Sequence, residues 1–111
     1  MAKITALKLN KEFRSAYYHG RSLVNPSLIT YVRKNRVGET RLGITTGKKI
    51  GKAVKRNRCR RIIREAFRGL LPHVKRGYDY VFVARAATVN KKSTDLQQIM
   101  RSQLKSIGHW Q

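Results

Sequence analysis

The acidic side chains of this sequence are too few and too scattered to suggest a catalytic site. A nuclease that uses its own side chains needs clustered carboxylates for metal ions, or a histidine with partners for acid–base chemistry. The five acids are Glu12, Glu39, Glu65, Asp79 and Asp95, and no spacing among them predicts a shared metal site. The three histidines, which we expect to be solvated or in turns, are His19, His73 and His109. The residues therefore predict no catalytic group and no protein-bound metal.

The one cysteine and the glycines do not suggest catalysis either. Cys59 lies on the apolar side of a predicted helix, which favours a core thiol over a nucleophile. Because it is the single cysteine of the sequence, no intramolecular disulfide can form. No P-loop or dinucleotide fingerprint is present, and the glycines around Lys48 and Lys49 lack the spacing of a KH loop. On its own residues, this chain is predicted to bind a ligand and not to catalyse.

Positive charge is concentrated between residues 41 and 64, where the sequence contains no acid. The cations of this window are Arg41, Lys48, Lys49, Lys52, Lys55, Arg56, Arg58, Arg60, Arg61 and Arg64. Like charges at i, i+4 destabilise a helix, and a face that only meets solvent normally carries both signs. An all-positive face therefore predicts an external polyanion, and guanidinium groups bind phosphate oxygens in a bidentate manner.

Four aromatic residues form a second candidate binding group: Phe13, Tyr17, Tyr18 and Tyr31. Aromatic rings stack on unpaired bases without reading their sequence, which is how single strands are often held. A core position suits Phe13 equally well. The hydroxyl groups of Tyr17 and Tyr31 favour partial exposure.

The first half of the chain predicts one helix and three strands. Residues 11–18 form a short helix after Asn10 as N-cap, and Gly20 ends it. Residues 21–24 form an edge strand or a turn before Pro26, because proline cannot donate to a ladder. Residues 27–33 form a strand with residues 41–46 as its antiparallel partner across a turn at 34–40.

The second half predicts helix, strand and helix. A helix from Lys52 or Ala53 to Leu70 carries an apolar stripe of Cys59, Ile62, Ile63, Ala66, Phe67 and Leu70. The opposite face carries Asn57, Arg60, Arg61, Arg64 and Arg68. Residues 78–85 predict a central strand covered on both sides. Thr94 and Gln97 resemble a capping box before a last helix, whose stripe is Leu96, Ile99, Met100, Leu104 and Ile107, with its end at Gly108.

The composition limits the class of protein and of partner. The 111 residues predict one α+β domain over 1–111, and 41% hydrophobic content supports a modest core. The 26 lysines and arginines against 5 acids give a net charge of +21, which indicates nucleic acid as the partner. No apolar run is long enough to span a bilayer, and residues 1–8 lack the apolar stretch of a signal peptide. We therefore expect a cytoplasmic protein with no membrane partner.

The sequence resembles the protein component of bacterial ribonuclease P. The resemblance depends on Arg41-Leu42-Gly43-Ile44 followed by the run from Lys48 to Phe67, which contains the Arg-Asn-Arg signature at residues 56–58. The segment Phe13-Arg14-Ser15-Ala16-Tyr17-Tyr18-His19-Gly20, Tyr31 and the Asp79-Tyr80-Val81 strand also fit. Together these segments cover nearly the whole chain.

The resemblance implies a small α–β sandwich of order αβββαβα, with a left-handed βαβ crossover that the right-handed rule alone would not predict. It also implies an accessory subunit of an endoribonuclease, in which an RNA subunit that binds most of the Mg²⁺ removes the 5′ leader of precursor tRNA. The partners implied are that catalytic RNA, with one protein per RNA, and the single-stranded leader.

The resemblance also assigns site residues by position. Phe13, Tyr17 and Tyr31 would line the leader cleft, with Tyr17 standing where many relatives have phenylalanine. With the cations of the same loop and helix face included, the expected RNA-binding set is Lys48, Lys49, Lys52, Lys55, Arg56, Asn57, Arg58, Arg60, Arg61, Arg64 and Arg68.

Two alternative functions stay open on the residues alone. A structural ribosomal protein would explain the charge equally well, but it predicts neither the aromatic cleft nor the signature. A protein-only nuclease is disfavoured by the missing carboxylate cluster. Cleavage of precursor tRNA with and without the RNA subunit separates the three.

Overall fold

The computed structural model describes residues 4–111, which form a five-stranded mixed sheet with three α-helices. The strands are β1 (Ile4–Ala6), β2 (Arg21–Asn25), β3 (Leu28–Lys34), β4 (Thr40–Thr45) and β5 (Tyr78–Ala84), and the helices are α1 (Asn10–His19), α2 (Ala53–Leu70) and α3 (Ser93–Ser106). This is the predicted α+β order with the short strand β1 added at its start. Residues 1–3, on which part of the N-terminal prediction depends, lie outside the described residues.

The order of strands in the sheet is β1-β4-β5-β3-β2. The prediction that β4 pairs with β3 is wrong: β4 lies parallel to β5 and β1, and β3 is antiparallel to β5 and β2. The reason is that β5 is inserted between them and pairs with β3 at one edge and with β4 at the other. Its Val81 and Phe82 are fully buried on opposite faces, as expected of a central strand that is covered on both sides. Because α2 joins the parallel neighbours β4 and β5, the chain contains a βαβ crossover. Its left-handed sense stays an expectation from the resemblance.

The main core lies between the sheet and helices α2 and α3. Every residue of the predicted α2 stripe is buried, and Phe67 packs against Tyr80 and Phe82 of β5 with ring centroids 5.4 and 5.3 Å apart. From α3, Leu96, Met100 and Leu104 are fully buried in the same cluster. The 3.6-residue periodicity of both helices therefore predicted the core correctly.

Helix α1 covers part of the other face of the sheet. The prediction of Asn10 as N-cap is wrong, because the N-cap is Leu9, whose backbone N–H donates to the Glu12 carboxylate at 3.1 Å. The helix ends at Gly20, where a Cβ would lie 2.5 Å from the Ala16 carbonyl oxygen, so only glycine fits this close approach. Ala16 is fully buried against Leu7 and Val81, so α1 lies directly on β5.

Three further details correct or extend the sequence predictions. At the start of α3 the backbone N–H of Lys92 donates to Asp95 at 2.9 Å, so the capping carboxylate is Asp95 and not the predicted Thr94 and Gln97 pair. His109 is buried, whereas the sequence predicted an exposed or turn histidine, because its ring packs against Tyr78 and contacts the Tyr80 hydroxyl. No helix among residues 4–111 is both long enough and apolar enough to cross a membrane.

Candidate nucleic-acid interface

Helix α1 is tied to the sheet by an ion-pair network centred on Arg41. The Arg41 guanidinium donates to both oxygens of the Asp79 carboxylate, at 2.7 and 2.9 Å, and to Glu12 at 2.6 Å. These hydrogen bonds, those to Asp79 first, raise the pKa of Arg41 above its ordinary value. Asn35 donates a further bond to Asp79 at 2.9 Å. Arg41, counted by sequence among the binding cations, is therefore a structural residue.

The Phe13 side chain lies between α1 and the sheet, with part of its ring buried and part exposed. Its ring lies over Gly43 of β4, where a Cβ would come within 2.7 Å of a ring carbon. The ring is half-buried against the small cluster of Leu7, Ala16 and Val81. Phe13 is thus partly core and partly surface, and Gly43 leaves the space that allows this position.

Tyr17 lies one helical turn beyond Phe13 and bridges two strands. Its hydroxyl is 2.5 Å from the Thr45 hydroxyl on β4, and its ring meets the edge of the Tyr31 ring on β3 at a centroid distance of 5.0 Å. Both tyrosines are half-buried, as their hydroxyl groups predicted. Tyr18, in contrast, is 81% exposed.

A groove of about 610 Å³ runs beside these rings, between α1 and the end of β4. Phe13, Arg14, Tyr17, Thr45 and Arg60 are among the residues that line it. Tyr31 does not line this groove; it contacts Tyr17 instead. We call this feature the aromatic groove. Sequence reasoning missed Arg14 and Thr45, although the alternation of β4 places Thr45 on the same face as Gly43.

The exposed face of α2 adjoins the aromatic groove. Arg60 is half-buried and donates to the Ile44 carbonyl oxygen at 3.3 Å, so its side chain lies over β4. Arg64 and Arg68 continue from it along a second groove of about 390 Å³ that Phe13 also lines. Arg56 and Asn57 line a smaller hollow of about 230 Å³ with the same Arg60. We call the residues Asn57, Arg60, Arg61, Arg64 and Arg68 the basic face of α2.

Arg58 of the Arg-Asn-Arg signature has a different environment from its neighbours. Its guanidinium donates to the carbonyl oxygens of Val89 and Lys91, at 3.1 and 3.5 Å. It therefore helps to hold the 3-10 turn Ala86–Asn90 against α2. Of the signature, Arg56 and Asn57 lie on the side of the aromatic groove and Arg58 does not.

The remaining predicted cations surround the start of α2. Lys48 and Lys49 lie in a 3-10 turn (Lys48–Ile50), Lys52 is the N-cap, and Lys55 lies in the first turn of the helix. All four are exposed. No side chain caps the helix here and no acid occupies its first turn. Because unpaired N–H groups and the helix dipole add to this positive charge, the start of α2 favours an anion.

The charges of this interface are almost entirely uncompensated. Within residues 4–111, both ion pairs shorter than 4.0 Å belong to Arg41. Two of the scattered acids, Glu12 and Asp79, do come together, but the Arg41 guanidinium lies between them. No group of three or more histidines, cysteines or acids could hold a metal ion in the described part of the chain.

Cys59 takes no part in the interface. Its side chain is fully buried in the main core, and burial raises the pKa of the thiol. A thiol in this environment stays protonated and packs as a small apolar residue. The predicted core position is confirmed.

Comparison with known proteins identifies close relatives over nearly the full length. A family model described as Ribonuclease P matches residues 1–108. The ribonuclease P protein component of Clostridium botulinum (strain 657 / Type Ba4) is 42% identical over 107 residues, which cover 96% of each chain. That of Clostridioides difficile (strain 630) is 40% identical and covers 89% of this chain and 88% of its own.

Solved structures of similar fold come from the same family of proteins. The RNase P protein of Staphylococcus aureus superposes with a TM-score of 0.84 at 30% identity and covers 98% of this chain and 100% of its own. The protein from Thermotoga maritima superposes with a TM-score of 0.79 at 28% identity, covering 90% and 96%.

Proposed function

We propose that this chain, which belongs to the ribonuclease P protein family, binds the catalytic RNA through the basic face of α2 and the 5′ leader of precursor tRNA through the aromatic groove. Its role in that family is the accessory protein subunit of the endoribonuclease that processes the 5′ end of tRNA. The proposal concerns which of its surfaces performs each part of that role.

The observation that carries the proposal is the position of Arg60. This one side chain lines the aromatic groove with Phe13 and Tyr17, and it also lies at the edge of the basic face with Arg64. The two surfaces are therefore contiguous. An RNA bound along α2 would meet a leader bound in the groove at this arginine.

The chemistry of the groove suits a single strand of variable sequence. Aromatic rings stack on any base, and each such contact contributes about 1–3 kcal/mol to binding. Arg14 and Arg60, which line the same groove, supply charge for the leader phosphates. No groove-lining side chain is required to read a particular base, as befits a subunit that accepts many leaders.

Catalytic metal ions are assigned to the RNA. When bound, Mg²⁺ would activate water and stabilise the leaving oxygen, and two such ions need several clustered anionic ligands. The acids that approach one another in this chain are neutralised by Arg41, whereas a folded RNA offers many phosphate oxygens. The protein's own contribution is to bind and orient the two RNAs, in a complex with one protein per catalytic RNA.

Reconstitution tests the proposal. Purified protein alone should leave precursor tRNA intact at every Mg²⁺ concentration, and the leader should be removed rapidly once a matching RNA subunit is added. Separation of the reconstituted complex by size should give a stoichiometry of one protein per catalytic RNA. Metal-dependent cleavage of precursor tRNA by the protein alone, in a preparation free of contaminating nucleases, would contradict the assignment of catalysis to the RNA.

A further inference from the structure

The C-terminal residues close the end of the sheet where α2 finishes and β5 begins. The backbone N–H of Lys75 donates to the His109 carbonyl oxygen at 3.0 Å, and that of Gln111 donates to His73 at 2.6 Å. Val74 and Trp110 form an antiparallel bridge between these bonds. The tail is therefore held as the second strand of a small ribbon, which fixes the Trp110 ring in place.

Several cationic side chains surround this ring. The Arg101 guanidinium carbon lies 5.3 Å from the centroid of the Trp110 ring and the Lys105 ammonium 5.9 Å from it, both reaching from α3. The His73 ring stacks on Trp110 at 4.7 Å and 15°. Lys75 is held in the same way, 5.6 Å from the Tyr78 ring. We call His73, Lys75, Arg101, Lys105 and Trp110 the C-terminal basic surface.

The charge of this surface has no partner in the described part of the chain. Neither Lys75, Arg101 nor Lys105 has a carboxylate within 4.0 Å, since the ion pairs there involve only Arg41. The acid of α3, Asp95, lies at the opposite end of that helix, where it caps the first turn. Aromatic contacts hold flexible cations in place while leaving them exposed, which lowers the entropy cost of binding an anion.

We propose that the C-terminal basic surface is a second RNA-binding site, which contacts the phosphate backbone of a segment of the catalytic RNA other than the one bound by α2. The inference rests on the proposed function for the identity of the partner. The surface is built from α3 and the tail, whereas the primary interface is built from α1, β4 and α2. It also depends on Trp110, which lies beyond residues 1–108 matched by the family model.

RNA suits this surface better than an anionic membrane does. A helix that binds at a membrane surface needs exposed bulky apolar anchors beside its cations. In residues 4–111 the exposed large hydrophobic side chains are Leu9, Tyr18, Val24, Val37 and Val54, and none of them belongs to α3 or the tail. The exposed positions of α3 near Trp110 carry charge instead, as phosphate contacts require.

Trp110 is the only tryptophan of the chain, so its fluorescence reports on this surface alone. The full-length protein is titrated with the RNA subunit that supports cleavage, and binding is followed in parallel by gel shift. We expect the Trp110 emission to change and to saturate at the same RNA concentration as the gel shift. Unchanged emission at full binding would overturn the second site and leave the proposed function intact. Absence of binding altogether would overturn both.

Charge variants distinguish a direct contact from a transmitted change in fluorescence. Arg101→Gln combined with Lys105→Gln should lower the slope of log affinity against log salt by about 1.4–1.8, because each lost phosphate contact contributes about 0.7–0.9. Lys8→Gln combined with Lys92→Gln removes the same charge elsewhere and should change the slope much less. The swap Arg101→Lys with Lys105→Arg keeps the charge and should restore the slope.

The remaining outcomes are equally decisive. Melting temperatures of all variants, measured first, show whether each is folded, and the charge-keeping swap provides the comparison if the glutamine pair is unstable. Equal slopes for the Arg101/Lys105 pair and the Lys8/Lys92 pair would overturn the proposal. A Trp110 emission shift with anionic phospholipid vesicles, but not with RNA, would overturn it in favour of a membrane.

Discussion

The Asp79 carboxylate is fully buried, and Arg41 meets it with two parallel hydrogen bonds of 2.7 and 2.9 Å. The two residues lie opposite each other on the parallel strands β4 and β5. The remaining guanidinium hydrogen bond goes to Glu12, so the same pair also fixes the first turn of α1. The ion pair therefore determines the position of the helix that carries Phe13 and Tyr17.

Arg41→Ala should destabilise the protein strongly. Removing one partner of a buried ion pair leaves an uncompensated charge and costs about 3–5 kcal/mol of the free energy of unfolding. Asn35 still donates to Asp79, which favours the lower end of that range. Urea denaturation followed by circular dichroism measures the loss.

Arg61→Ala is the matched control for this variant. Arg61 is exposed on α2 and has no carboxylate partner, so its removal should change the free energy of unfolding by no more than about 0.5 kcal/mol. A loss for Arg41→Ala as small as that of the control would show that the network does not stabilise the fold.

His109 should make the stability depend on pH in the mildly acidic range. Burial, with the nearby charges of Lys75 and Arg21, lowers the pKa of His109 below its ordinary 6.5. The unfolded chain then binds a proton that the folded chain does not, so stability present above pH 6.5 is lost as pH falls through the folded value. Melting temperatures measured at successive pH values should fall in this window and fall less in His109→Gln.

The same measurement on His19→Gln provides the control, because His19 is exposed. Its melting curve should keep the full pH dependence of the wild-type protein. Glu12, whose pKa is lowered first by the Leu9 N–H and also by Arg41, contributes in the same sense only at lower pH, below about 4.5. Identical pH profiles for His109→Gln and the wild type would exclude the buried histidine as the cause.

Local periodicity predicted the helices and strands of this fold better than it predicted which strands are neighbours in the sheet. The stripe from Cys59 to Leu70 identified the buried face of α2, and the unbroken apolar run of β5 identified the central strand. Both patterns are local, because one face of a helix or both faces of a strand must be apolar wherever they pack. The same local rule holds along β3, where alternation separates buried Leu28, Thr30 and Val32 from half-buried Tyr31.

Contacts between distant segments could not be derived in this way. Arg41 is 29 residues from Glu12 and 38 from Asp79, so no spacing indicates that it belongs to a buried network. The predicted pairing of β4 with β3 was wrong. Strands that follow each other in the chain usually form hairpins, whereas here β5 is inserted between β3 and β4. Strand β1 has three residues, too few for a periodic signal. His109 was likewise misplaced, because the rings that bury it, Tyr78 and Tyr80, come from another part of the chain.

Charge reversal on the basic face should weaken binding of the RNA subunit without unfolding the helix. Arg61→Glu or Arg64→Glu removes a phosphate contact, so each should lower the slope of log affinity against log salt by about 0.7–0.9. Both side chains are exposed on the side of α2 away from the buried stripe, so circular dichroism should be unchanged. Filter binding over a range of salt concentrations measures the slope.

Arg58→Gln gives a useful contrast with these two variants. Because Arg58 donates to Val89 and Lys91, its loss should lower the melting temperature, whereas Arg61→Glu should not. A salt slope that is unaltered in Arg61→Glu and Arg64→Glu would show that the basic face does not contact RNA.

Tyr31→Ala tests whether the rings beside the aromatic groove hold the leader. If Tyr31 stacks on a leader base, affinity of the reconstituted enzyme for precursor tRNA should fall by about 1–3 kcal/mol. Affinity for mature tRNA, which has no leader, should be unchanged. Tyr31 also packs against the edge of Tyr17, so the melting temperature must be measured on the same variant.

Two controls separate stacking from packing. Tyr31→Phe keeps the ring and should retain precursor affinity, and Tyr18→Ala removes an equally large ring that is 81% exposed outside the groove and should affect neither ligand. Tyr31 is half-buried. If its role were purely structural, Tyr31→Ala would lower the melting temperature and weaken the binding of precursor and mature tRNA together. Equal losses for precursor and mature tRNA in Tyr31→Ala would therefore exclude this residue from the leader site, while a loss confined to the precursor would place the leader against β3 as well as α1.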